Sequence, residues 1–200
     1  MANPIDFYFD FSSPYGYFAS SAIDGIAAKY GRDVVWRPIL LGAVFKITGQ
    51  QPLPTIPLKG SYAKHDLARS ARLLGIPFKL PTKFPVAGQA PSRAFYWMSD
   101  KDRALAKKLA QALYRAYFAE DRDISSPEVT ANVAAKLGVE RAELLAALAD
   151  PAVKERLKIE VDAAIERGVF GSPYFVVDGE PFWGSDRIEQ VEKWLATGGW

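Results

Sequence analysis

The segment "FDFSSPYGYFAS", Phe9 to Ser20, constrains the chain most. An apolar and aromatic run, Ile5 to Phe9, is bounded by Pro4 and by turn residues after Phe11, which reads as a strand. Apolar residues at helical spacing then run from Pro14 to Tyr30, with Ser13 placed as N-cap and Pro14 at the favoured first helical position. Gly31 closes that helix, and "DVVWRPIL" restores a β pattern. The start of the chain is therefore a βαβ unit.

The end of the chain mirrors it. A helix over Pro151 to Arg167 leads into "GVFGSPYFVVDGEPFWG", in which "YFVV" and "EPFW" flank Asp178-Gly179. Both residues of such a two-residue turn must take positive φ, which Asp and Gly tolerate, so the stretch is a hairpin. A last helix is expected from Ser185 to Leu195. Together, βαβ and αββα complete one small sheet with helices on both faces, the order of a thioredoxin fold.

Between the halves lies a Pro-rich connection, "QPLPTIPLKG", and then segments rich in Ala and Leu. Helices are expected over Lys64 to Leu74, Pro91 to Ser99, Lys101 to Ala119, Ser126 to Leu137 and Glu140 to Ala149. The fold class is α/β, a thioredoxin fold with an inserted all-helical domain. Residues 1–42 and 151–200 form the discontinuous thioredoxin-like domain, and 43–150 the insertion.

Composition narrows the chemistry. The chain has no cysteine, which excludes intrinsic dithiol redox chemistry and a protein thiolate nucleophile. A single histidine, His65, speaks against a Ser-His-Asp triad and against a multi-His metal site, and reads as structural. The formal charge is +2 without a basic block, giving no reason to expect nucleic acid or an anionic membrane as partner. No stretch is apolar enough to span a bilayer, and "MANPIDFYFD" lacks the basic start and apolar core of a leader, so the expected location is the cytoplasm.

Three elements carry candidate chemistry. Ser13 sits where strand passes into helix, where free backbone N–H groups and the helix dipole favour an anion; it is also an ordinary capping residue, and the two roles are compatible. Ser172-Pro173 precedes a strand. A cis bond there would present the Ser172 backbone to an extended peptide, although the base rate of X–Pro bonds favours trans. Ser185 and Asp186 follow a glycine at the last helix start, as caps or as a hydroxyl and carboxylate able to hold an amino-acid zwitterion.

The segments "FYFDFSSPYGY", "PLKGSYAKHDLAR" and "GVFGSPYFVVDGEPFWGSDRIE" resemble the 2-hydroxychromene-2-carboxylate isomerase family, a relative of kappa-class glutathione transferases and bacterial disulfide oxidoreductases. The resemblance runs nearly end to end. It implies a thioredoxin fold with inserted helices, glutathione as cofactor, a small aromatic substrate and a homodimer. Ser13 then matches the family's catalytic serine, which replaces the first cysteine of the redox motif. Ser172, before the family's cis-proline at Pro173, would pair with the cysteinyl part of glutathione. Ser185 and Asp186 would hold its γ-glutamyl end, and Lys59 its glycyl carboxylate.

Departures from the family pattern are Gln50 where Asn is frequent, Ala87 where several relatives carry Asn, and Ser172 in place of the commoner Val or Leu. The chemistry implied is reversible addition of a glutathione thiolate to an unsaturated pyruvate conjugated to an aromatic ring. A thiol of pKa ~8.5 is only a few per cent ionised at neutral pH, and lowering that value by about two takes roughly 2.7 kcal/mol. The alternatives are a kappa-like transferase or peroxidase, which consumes the thiol, and a non-catalytic thiol- or peptide-binding protein.

Overall fold

Strand β1 (Ile5–Phe9) turns Ile5, Phe7 and Phe9 to one face, where all three are fully buried, and Tyr8 to the other. The computed structural model describes residues 3–200; Met1 and Ala2, at the start of the segment read for a leader, lie outside the described residues. β1 pairs in parallel with β2 (Val34–Pro38) and antiparallel with β3 (Tyr174–Val177), which pairs antiparallel with β4 (Glu180–Trp183). The sheet order is β2-β1-β3-β4. Phe7 lies opposite both Trp36 and Phe175, with ring centroids 5.1 and 5.3 Å away. Asp178 and Gly179 take φ of 53° and 92°, the positive values the hairpin turn demands.

A parallel neighbour needs a crossover, and here it is helical. The helix expected over Pro14 to Tyr30 is broken into α1 (Pro14–Ser20) and α2 (Ile23–Lys29). The cause is local. Ser20 Oγ and Ser21 Oγ donate to the Tyr17 and Phe18 carbonyls, each at 2.7 Å, and the Ser21 and Ala22 N–H groups bond three residues back instead of four.

Between β2 and the returning strands run α3 (Leu41–Thr48), α4 (Lys59–Leu74), α5 (Gln89–Ser99), α6 (Arg103–Phe118), α7 (Pro127–Ala135), α8 (Arg141–Ala149) and α9 (Pro151–Glu166). The sequence pattern lacks α3, and α4 starts at Lys59, ahead of the expected Lys64. The chain closes with α10 (Ile188–Thr197).

One apolar cluster runs from Phe7, Phe9 and Phe175 on the sheet through Tyr17 and Phe18 to Leu109, Leu113 and Leu144 in the helices. A smaller one, with Tyr8, Ile39, Val44, Ala164 and Tyr174, covers the other face. This is a thioredoxin-like sheet covered on both faces, with helices α3–α8 between its two halves in sequence. Among the described residues no helix is long and apolar enough to cross a membrane.

Candidate active site

Ser13 is buried, 5% exposed, at the junction of β1 and α1. Its Oγ accepts the Gly16 N–H at 3.0 Å, as an N-cap does, and donates to the Ser172 carbonyl at 2.9 Å. In the first turn of α1, Pro14 has no N–H, Gly16 N–H goes to Ser13 Oγ and Tyr17 N–H to Ser13 O, which leaves that of Tyr15. With α1 only seven residues long, the dipole expected of a long helix is curtailed. Hydrogen bonding by the hydroxyl therefore has to supply most of any stabilisation of an anion here.

The Ser172–Pro173 bond is cis, against the base rate for such bonds and in line with the resemblance. Ser172 does more than present its backbone. Its Oγ accepts the Asp10 N–H at 2.9 Å, a bond that valine or leucine could not make. Space here is tight: a Cβ on Gly16 would stand 2.6 Å from Tyr114 Oη and 2.9 Å from Ser172 Oγ, so only glycine fits. Pro173 is buried behind Ser172, and its carbonyl accepts the Gly184 N–H at 3.0 Å, which fixes the turn after β4.

That turn differs from expectation. Ser185 and Asp186 do not open α10; they lie in a single 3₁₀ turn, Ser185–Arg187, and neither side chain caps it. Gly184 precedes them at φ 111°, where a Cβ would overlap the Asp186 carboxylate. Asp186 is exposed and pairs with Arg187 at 2.8 Å, while Ser185 is half-buried.

A cleft of about 1520 Å³ joins these parts. Ser13, Ser172, Ser185 and Asp186 lie along it together with Gln50 and Lys59, which come from the ends of α3 and α4 and are both exposed. Ala87, one of the departures from the family pattern, also lines it, beside a second cis bond, Phe84–Pro85.

Two groups in the cleft carried no sequence signal. Tyr15 Oη donates to Asp66 Oδ2 at 3.1 Å, and burial together with Asp66 pushes its phenol up to about 12. Asp66 also pairs with Arg69. Asp10, 4% exposed, lies at the hand-over from β1 to α1 with no cation on it. Its Oδ1 accepts the Ser12 N–H and its Oδ2 the Leu41 N–H, each at 2.6 Å. Only the odd position of a carboxylate at the end of an apolar strand could have flagged it.

Comparison with known proteins agrees with this fold. Residues 4–196 match the model of the DSBA-like thioredoxin domain. The chain belongs to that family. Within it, the chain is 32% identical to a 2-hydroxychromene-2-carboxylate isomerase of Pseudomonas putida, over 94% of this chain and 92% of that one. It is 31% identical to glutathione S-transferase kappa 2 of Caenorhabditis elegans, over 96% and 91% of the two chains. A solved 2-hydroxychromene-2-carboxylate isomerase superposes with a TM-score of 0.87 at 31% identity, covering 96% of this chain and 94% of that one. The relatives are isomerases and glutathione transferases, and they set the class of chemistry to consider.

Proposed function

We propose that the protein is a glutathione-dependent isomerase of 2-hydroxychromene-2-carboxylate or a similar aromatic unsaturated pyruvate. The observation that carries this reading is the buried Ser13 hydroxyl, shared between the first turn of α1 and the Ser172 carbonyl on the wall of a cleft without cysteine. The cleft exceeds the roughly 300–1,000 Å³ usual for one small ligand, which suits a tripeptide and a second molecule together. Its polar groups also suit the tripeptide: Lys59 to donate to a carboxylate, Asp186 to accept from an ammonium, Gln50 and Ser185 for polar contacts, and Ser172 before Pro173 for an extended backbone.

Glutathione, when bound, supplies a thiolate able to add to and leave the electron-poor carbon, which frees the neighbouring bond to rotate. The protein's part is an exchange of partners. In the free protein the Ser13 hydrogen rests on the Ser172 carbonyl. A ligand N–H arriving at that carbonyl releases the hydroxyl to turn toward the sulfur, so the number of hydrogen bonds is kept while one becomes charge-assisted. Bonds to a charged group are worth about 1.5–3 kcal/mol, comparable with the roughly 2.7 kcal/mol needed to lower the thiol pKa by about two.

The kappa transferase relative supports a second reading, in which the thiol is consumed. One assay separates them: protein, glutathione and a chromene carboxylate are mixed, and substrate absorbance and total free thiol are followed together. Turnover with thiol conserved is the expected result. Thiol loss in step with turnover would establish the transferase, and binding without turnover a non-catalytic role. The homodimer implied by the resemblance and the cytoplasmic location expected from the sequence belong to the same proposal.

A further inference from the structure

Asp10 is a junction for the whole site. Its N–H donates to Ser172 Oγ, its carbonyl accepts from Ser13 N–H and from Tyr114 Oη at 2.9 Å each, and its carboxylate oxygens accept from Ser12 and from Leu41. Leu41 is the first residue of α3, and Leu40 before it offers no side-chain cap. The carboxylate of Asp10 takes that place from 31 residues upstream. Helix α3 ends at Gly49, whose φ of 70° turns the chain into Gln50 on the far wall of the cleft.

We propose that Asp10 is a positioning residue whose ionised carboxylate ties the serine turn to the helix that delivers Gln50, so that the two walls of the cleft assemble only while it is charged. The reason is geometric. Each oxygen faces an N–H donor, and a carboxylate, having no hydrogen, can accept from both. The protonated acid accepts more weakly at the oxygen that carries the hydrogen, which loosens the bond to either Ser12 or Leu41.

No other charge shares this duty. Asp10 takes part in none of the ion pairs among the described residues. Tyr114 and Tyr117 on α6 face it as neutral phenols pushed upward by burial, and the other neighbours, Ser13, Ser172, Leu40 and Gly88, do not ionise. Ser92 Oγ, buried with no partner, borders the same space: a Cβ on Gly88 would stand 3.8 Å from Asp10 Oδ1 and 3.9 Å from Ser92 Oγ. Burial raises the Asp10 carboxyl to about 6, against the lowering effect of its two backbone bonds, which brings the switch within reach of ordinary buffers.

Two measurements test this, and the first needs no ligand. In ¹⁵N-resolved NMR of the free protein, the amides of Ser12 and Leu41 should titrate together with a midpoint near 6, and those of Gly49 and Gln50 should follow with the same midpoint. The second is calorimetry with S-methylglutathione, whose sulfur carries no proton; it rests on the proposed function. Affinity should fall about tenfold between pH 7 and pH 5, the factor for one proton taken up one pH unit below its midpoint. In Asp10→Asn both effects should vanish, and in a His65→Gln control, which removes the single histidine of the chain, both should persist. Gly49 and Gln50 amides that stay still while Ser12 and Leu41 move would overturn the proposal, as would a wild-type pH profile in Asp10→Asn. If S-methylglutathione binds at no pH, the glutathione reading fails, and the NMR titration of the wild type alone decides for or against Asp10.

Discussion

On one wall of the cleft, buried Asp10 and Ser13 and half-buried Ser172 are joined by hydrogen bonds spanning up to 162 residues of chain, while on the other Gln50 and Lys59 are exposed and the backbone bonds around them stay within a few residues. The difference separates two tasks. The first wall fixes one atom, the Ser13 hydroxyl that the proposed function directs to the sulfur, and holds it between α1 and the Ser172 carbonyl. The second can only add charge and polar contacts to the outer parts of a ligand. Changes on the first wall should therefore alter chemistry and folding together, and changes on the second should alter affinity alone.

The sharpest way to break this contrast is Ser13→Ala. Under the proposed function, loss of the donor that turns toward the thiolate should lower kcat/KM at neutral pH by about 10²-fold, the factor for roughly 2.7 kcal/mol, and loss of the cap should cost about 1 kcal/mol of stability. Steady-state kinetics with thermal denaturation checks both; an unchanged rate removes the distinction between the walls.

Asp10→Asn comes next, through the pH dependence of stability. A carboxyl raised from 3.8 to about 6 on folding binds its proton more tightly in the folded protein. Its contribution is thus most favourable below pH 4, declines as pH rises through 6, and costs about 3 kcal/mol at neutral pH. The surface acids Asp121, Asp123 and Glu128 are lowered by hydrogen bonds to Thr82, Lys83 and Ser126 and act in the opposite sense at lower pH. The informative quantity is the stability difference between variant and wild type, which should shift toward the variant by about that amount between pH 4 and pH 7 in denaturant titrations. A difference independent of pH would mean that Asp10 carries no such charge.

Gly16→Ala should destabilise by about 1–3 kcal/mol through overlap with Tyr114 Oη and Ser172 Oγ. Its midpoint in urea reads this directly, and a neutral result would show the first wall to be more yielding than its packing. The smallest effect belongs to Lys59→Ala on the exposed wall, which should weaken glutathione binding several-fold while leaving stability within about 0.5 kcal/mol. Equal losses of both would merge the two walls into one.

The same division governs what the sequence discloses. The strands, the hairpin at Asp178-Gly179 and the helices capped by Ser126-Pro127 and Asp150-Pro151 are legible because their signals are local, and the structure has each cap on the helix it announces. Helix α3 is not legible, since "LGAVFKIT" carries apolar and β-branched residues with no capping side chain beside it; its cap arrives from Asp10 by tertiary contact. The break in the first helix is local in cause but reads as continuous periodicity, because serines hide a hydrogen-bonding competition inside an acceptable helical pattern. Ser13, Ser172, Ser185 and Asp186 stand out in the chain itself, Gln50 and Lys59 only through the family resemblance, and all six meet on one cleft. The carboxylate that ties their two groups together is visible only in three dimensions.

The most direct test of the central claim is the ultraviolet titration of thiolate in glutathione bound to wild type and to Ser13→Ala. The expected result is a midpoint about two pH units below that of the free thiol in the wild type and a return toward the free value in the variant. Equal midpoints in the two proteins would contradict the role given to the Ser13 hydroxyl.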